Sequence, residues 1–164
     1  MCGSQTRREK VSVNAVCVRQ SKILLSSAIR NLGLIIDAGV TMQDHISNTE
    51  SGCFYHLRSL DKLCPFLSAR AASAIAVSMV FSRIDCNCNN CLWGVPSQQL
   101  KCLQLVQNTV TRTVTCTQKR EHIIPVLKEL LWLPVRKRID QKIMPLAYKC
   151  FEGMALEYLL ELIL

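Results

Sequence analysis

The stretch "SQQLKCLQLVQNTVTRTV", residues 97–114, decides the fold class. Its apolar residues Leu100, Leu103, Val106, Val110 and Val114 recur at spacings of three and four, which places them on one stripe of an α-helix but on both faces of a strand. Ser97 is the expected N-cap, since its hydroxyl suits an unpaired first-turn N–H. The same period recurs on either side. Upstream, residues 42–60 carry Ile46, Cys53, Leu57 and Leu60 on one face, with Thr41 as the expected cap and Asp44 three positions on. Ser68 opens a second helix running to about Asp85, with Ala72, Ile75, Ala76, Met79 and Val80 inward. Downstream, Pro125 suits the first position of a short helix ending near Leu131. Pro134 starts the last long helix, with Val135, Ile139, Ile143 and Ala147 inward and Gly153 as its stop. Pro145 lies inside that helix, where loss of an N–H donor predicts a kink.

The first forty residues have a different period. Residues 11–18 alternate apolar and small polar side chains, "KILL" follows, and residues 29–37 ("IRNLGLIID") are rich in Ile and Leu with one glycine; all three are strand candidates. The expected fold is therefore mainly α, with short N-terminal β-strands followed by an antiparallel bundle of about five helices. The expected division is residues 1–40, strands, and 41–164, helices. Hydrophobic residues make up 49 % and aromatic residues 5 % of the 164, so a core built from aliphatic side chains fits packed helices better than a sandwich.

Ten cysteines in 164 residues fall below the roughly 8 to 10 % of a disulfide scaffold. The N-terminal "MCGSQTRREK" is charged with no apolar run after it, which is unlike a secretory signal and leads to an expectation of a reducing, intracellular location, cytoplasm or nucleus. The longest nearly apolar run, residues 71–81, is short of the roughly 18 residues of a membrane span, so no membrane partner is expected. The net charge is +8, and residues 112–149 hold nine Lys or Arg against three acids. Within them "QKREH" (Lys119, Arg120) and "VRKRID" (Arg136, Lys137, Arg138), with Arg112, are candidate phosphate contacts. No aromatic residue is interleaved to stack a base, and a hydrated basic face is the competing reading.

Catalytic patterns are not evident. The five Asp, at 37, 44, 61, 85 and 140, are never adjacent, whereas two-metal phosphoryl chemistry needs carboxylates that clamp cations roughly 3.5 to 4 Å apart. There is no G-x-S-x-G, P-loop or G-x-G-x-x-G. His45, His56 and His122 stand alone, so no catalytic residue is assigned and no enzyme is expected. Cys86, Cys88 and Cys91 form a C-x-C-x-x-C cluster, but a four-ligand zinc site usually shows a second pair 12 to 20 residues away. Only Cys102, Cys116 and His122 follow it, singly. A zinc-stabilised module stays a minor alternative, and no cofactor is expected.

Several segments, in order, carry a resemblance: "IRNLGLIID", "DHIS", "FYHLRSLDKLCPFLS", "SRID", "CN", "WGVP", "LQLVQN", "KREHIIPVLKELLWLPV", "RID" and "YK". At this order and spacing they resemble the reverse transcriptases of LINE-type non-LTR retrotransposons, over residues 11–164. The resemblance is to the region after the catalytic palm. It implies that "NLG" lies near the palm's last strands and the primer grip, and that the helices are thumb helices lying along a template and primer duplex. It also implies a fragment without polymerase activity, because the family's paired Asp belong to an earlier hairpin. The chain departs from the pattern at Cys86 and Asn87, which stand where one Tyr is expected, at Leu131 in place of a His, at Pro145 and at Leu156. The expected partner is RNA or an RNA/DNA duplex held by Arg112, Lys119, Arg120, Arg136, Lys137 and Arg138. Self-association through apolar faces left uncovered is the other expectation.

Overall fold

The computed structural model describes residues 15–18, 21–24, 26–85, 90–154, 156, 158 and 161. Two antiparallel hairpins precede the helices. β1 (Ala15–Val18) pairs with β2 (Ser21–Leu24), Val18 opposite Ser21. β3 (Ala28–Asn31) pairs with β4 (Leu34–Asp37), so residues 29–37 are a hairpin and not the single strand their composition suggested. The reason lies at Leu32 and Gly33, whose φ angles are 48° and 86°. Two positive φ values in a two-residue loop match the right-handed twist of paired strands. Leu32 accepts a conformation that a side chain disfavours, and stays exposed.

The loop after β4 folds on Asp37. Its carboxylate accepts the Thr41 N–H at 3.0 Å and the Thr41 hydroxyl at 2.9 Å, and the Thr41 N–H holds the Asp37 pKa below its usual value. Thr41 clasps this loop and stands one place before the N-cap, yet its hydroxyl also accepts the N–H of Gln43, the first helical residue, at 3.4 Å. Met42, in the left-handed region at φ 61°, precedes α1 (Gln43–Leu63). Ile46, Cys53, Leu57 and Leu60 are buried as their spacing required, and His45 joins them. Leu34 of β4 is buried in the same core, which ties the hairpin to α1.

A 3₁₀ turn, Cys64–Phe66, leads to α2 (Ala69–Ala76). Ser68 caps it as expected, its Oγ accepting the Ala71 N–H at 3.3 Å. The helix continues through a π-turn, Val77–Phe81, into a last α-turn, Ser82–Ile84. One extra residue in that turn rotates the stripe. Val80 and Phe81 are both buried while Met79 is turned outward, where an unbroken helix was expected to bury Met79.

α3 (Ser97–Thr115) is the central helix, packed on α1, on α2 and on both helices that follow. All five stripe residues are buried, with Gln107 and Thr111 beside them. Pro96, not Ser97, supplies the first acceptor, its carbonyl taking the Gln99 N–H at 3.0 Å. α4 is Ile123–Glu129, so Pro125 is its third residue rather than its first. Leu131 at φ 56° ends it, and the Trp132 N–H returns to the Leu127 carbonyl at 2.8 Å. α5 (Val135–Phe151) runs unbroken through Pro145 and ends before Gly153 at φ 67°. The outcome is the expected mainly α fold, two short strand pairs followed by packed helices.

His45 links strand and helix. Its Nδ1 accepts the Ile35 N–H in a long, 3.5 Å bond, and burial lowers its pKa below the ordinary 6.5. Above that value neither state carries the proton, so no penalty acts. Below it the unfolded chain binds a proton that the folded chain resists, and stability falls as pH drops towards the folded pKa. The urea midpoint is expected to fall between pH 7.5 and 5.5, and less steeply in His45→Asn. Equal slopes would show that His45 is not held in its neutral form.

Candidate nucleic-acid interface

The six basic candidates divide by what their side chains touch. Arg112, in the last turn of α3, donates from one terminal nitrogen to the Gln118 carbonyl at 2.7 Å and from the other to the Glu121 carbonyl at 3.0 Å. It clasps the α3–α4 loop. Arg138 donates through Nε to the Leu133 carbonyl at 2.9 Å and through a terminal nitrogen to the Asp85 carboxylate. Its guanidinium also lies 4.6 Å from the centre of the Phe81 ring. Both guanidiniums are committed to protein acceptors, and a phosphate would have to displace those contacts.

Lys119 and Arg120 are exposed on the α3–α4 loop, and Arg136 and Lys137 are exposed in the first turn of α5. Arg136 reaches the Ser97 hydroxyl at 3.3 Å, and Lys137 makes a 3.8 Å ion pair with Asp140 along its own helix. An exposed pair of that kind contributes little and is easily exchanged for another anion. The two groups do not form one patch. Arg136 sits at the start of α3 beside Ser97, while Lys119 and Arg120 follow its end, and Ser97 to Arg112 is about 22 Å of helix rise. α3 therefore carries a basic group near each end.

The start of α5 is fixed by two amide side chains that the sequence analysis did not single out. Gln104 Oε1 accepts the Val135 N–H at 2.9 Å, and Gln107 Nε2 donates to the Leu133 carbonyl at 2.8 Å. Gln104 Nε2 in turn donates to Gln107 Oε1 at 3.1 Å. These bonds satisfy the start of α5, from which Arg136 reaches Ser97 at the head of α3. At the opposite end a groove of about 490 Å³ runs between α1 and α3, with Arg58, Arg112, Lys119 and a single acid, Asp61, among its lining residues. Arg58 was not a sequence candidate. It meets Lys119 only because α1 packs along α3, which no local signal reveals.

The acids and thiols have other tasks. Asp37 holds Thr41, Asp85 holds Arg138 and Asp140 pairs with Lys137. Cys53 is buried, with its Sγ 3.9 Å from the Val80 carbonyl, and burial pushes its thiol up to about 11. It is a neutral core residue at pH 7, not a nucleophile. Cys86 and Cys88 of the cysteine cluster lie outside the described residues, and Cys91 is exposed. Among the described residues no three His, Cys, Asp or Glu gather as metal ligands. Among them, too, no helix is long and apolar enough to cross a membrane. No family model matches the chain, and neither does any curated protein or solved structure.

Proposed function

We propose that the chain corresponds to the palm-edge and thumb region of a LINE-type non-LTR reverse transcriptase, and that its own act is to hold a nucleic-acid backbone rather than to polymerise. One observation carries this reading. The segments that bear the resemblance are far apart in sequence, yet they grip one another: Asp85 of "SRID" binds Arg138 of "RID", and Gln104 and Gln107 of "LQLVQN" bind Val135 and Leu133 of the "LWLPV" segment. Words that recur together for a structural reason are expected to meet in space in this way. "NLG" likewise forms the β3–β4 turn, where a glycine at positive φ is useful.

In this reading Arg112 and Arg138 keep the bundle in shape, and Lys119, Arg120, Arg136 and Lys137 meet phosphates. Binding through four such cations is electrostatic and independent of base sequence. A labelled RNA/DNA hybrid is expected to bind the purified chain at low salt, with anisotropy falling as salt rises. Absence of binding at low salt would end the proposal.

Self-association belongs to the same reading. Leu131, Phe66 and Phe151 are 89 %, 86 % and 77 % exposed, large apolar groups that a larger enzyme would cover. Light scattering is expected to give a mass above that of one chain, and a monodisperse monomer would contradict it.

A further inference from the structure

We infer that residues 155–164 of one copy of the chain dock in the α1–α3 groove of a second copy. The inference rests on the self-association proposed above and names a contact that produces it. The groove has a volume of about 490 Å³, and Phe54 and Leu57 line it from α1 and Thr113 from α3. Its charges are Arg58, Arg112 and Lys119 against one acid, Asp61. A matching occupant is apolar on the side it buries and acidic beside it. Residues 155–164, "ALEYLLELIL", have that pattern. Leu156, Leu159, Leu160 and Ile163 stand at i, i+3, i+4 and i+7, the spacing with which an apolar helix face enters a groove. Glu157 and Glu161 are four apart, neighbours on a helix surface. From Cys150 to Leu164 there are three Glu and no Lys or Arg.

The fold favours a second copy over the chain's own groove. α5 is fastened at the far end of α3, where Arg136 reaches Ser97 at 3.3 Å and Lys142 donates to the Asp85 carbonyl at 2.6 Å. The α3 side of the groove begins at Thr109, about 18 Å of helix rise from Ser97, whereas ten helical residues span only about 15 Å. Met154, Leu156 and Tyr158 are accordingly exposed, and none of them lines the groove of its own chain. Reciprocal docking closes a pair in which each copy supplies one segment and one groove. Lys119 is shared with the proposed backbone contacts, so Arg58, which is exposed on α1, carries the test.

The test is sedimentation of the full chain over a concentration series, with no nucleic acid present. Wild type is expected to show a mass above one chain that rises with concentration. Arg58→Glu is expected to weaken the association constant at least about tenfold, and so is Glu157→Lys combined with Glu161→Lys, because each sets like charges across the contact. An equimolar mixture of the two variants should recover the larger mass, since the unchanged segment of one then meets the unchanged groove of the other. A segment folded back on its own chain gives no such recovery, and that result would overturn the assignment to a second copy. If both variants keep the wild-type mass, this contact is wrong while self-association through other apolar surface stands. A wild type that stays at the mass of one chain overturns both.

Discussion

Phe81→Ala is expected to lower stability by about 3 to 5 kcal/mol, the usual cost of emptying a buried aromatic site. Phe81 is 2 % exposed, its ring is 4.5 Å from that of Trp132, and the Arg138 guanidinium covers its face. Alanine would leave a cavity at the place where the π-turn of α2, the α4–α5 link and α5 converge. Because a domain of this size has roughly 5 to 15 kcal/mol in all, the loss is a large share of the total. Urea denaturation followed by fluorescence of the buried Trp132 reads it directly. Phe66→Ala is the control, since that side chain is 86 % exposed and its loss should stay within about 0.5 kcal/mol. A Phe81→Ala effect as small as the control's would mean that the α2–α5 contact is not closed in solution.

Arg138→Ala is expected to cost about 2 to 3 kcal/mol, short of the 3 to 5 of a fully buried pair. The discount follows from exposure, 18 % for the Arg138 side chain and 28 % for Asp85. The loss combines the ion pair, the bond to the Leu133 carbonyl and the cover over Phe81. Lysine should recover little of it, because a single ammonium cannot serve the carbonyl, the carboxylate and the ring at once. The double variant with Asp85→Ala should lose less than the sum of the two single losses, because both remove the same contact. Additive losses would show that the two residues act separately. A functional screen that changes all of Arg136, Lys137 and Arg138 to Ala would therefore confuse unfolding with lost binding.

Helical spacing made most of the bundle readable. The stripes of α1 and α3 and the inward Val135 and Ile139 of α5 are buried where periodicity put them. Errors came where local chemistry had a competing use. Thr41 and Ser97 look like caps, but Thr41 stands one place before the N-cap, holding both the Gln43 N–H and Asp37, and the Pro96 carbonyl begins α3 in place of Ser97. The β3–β4 turn was hidden because Leu32 is not a usual turn residue, and the π-turn was hidden because nothing in "VSMVF" signals an extra residue. Burial of Gln107 was unreadable, since its partner, the Leu133 carbonyl, lies 26 residues away.

The candidate site was legible only as composition. Charge density drew attention to residues 112–149, but it could not separate Arg112 and Arg138, which fasten the protein to itself, from Lys119, Arg120, Arg136 and Lys137, which face outward. That division depends on acceptors brought up by other elements: the loop carbonyls at Gln118 and Glu121, and Asp85 from the end of α2. Arg58 escaped notice for the converse reason: it joins Arg112 and Lys119 only because α1 packs along α3.

The central claim, that four outward cations hold a phosphate backbone, is tested most directly by the salt dependence of binding to an RNA/DNA hybrid. Changing Lys119, Arg120, Arg136 and Lys137 together to Gln, with the urea midpoint unchanged, should flatten the slope of log K against log salt by about 3 to 4, nearly one for each phosphate contact removed. A quadruple variant that is folded and keeps the wild-type slope would contradict the account.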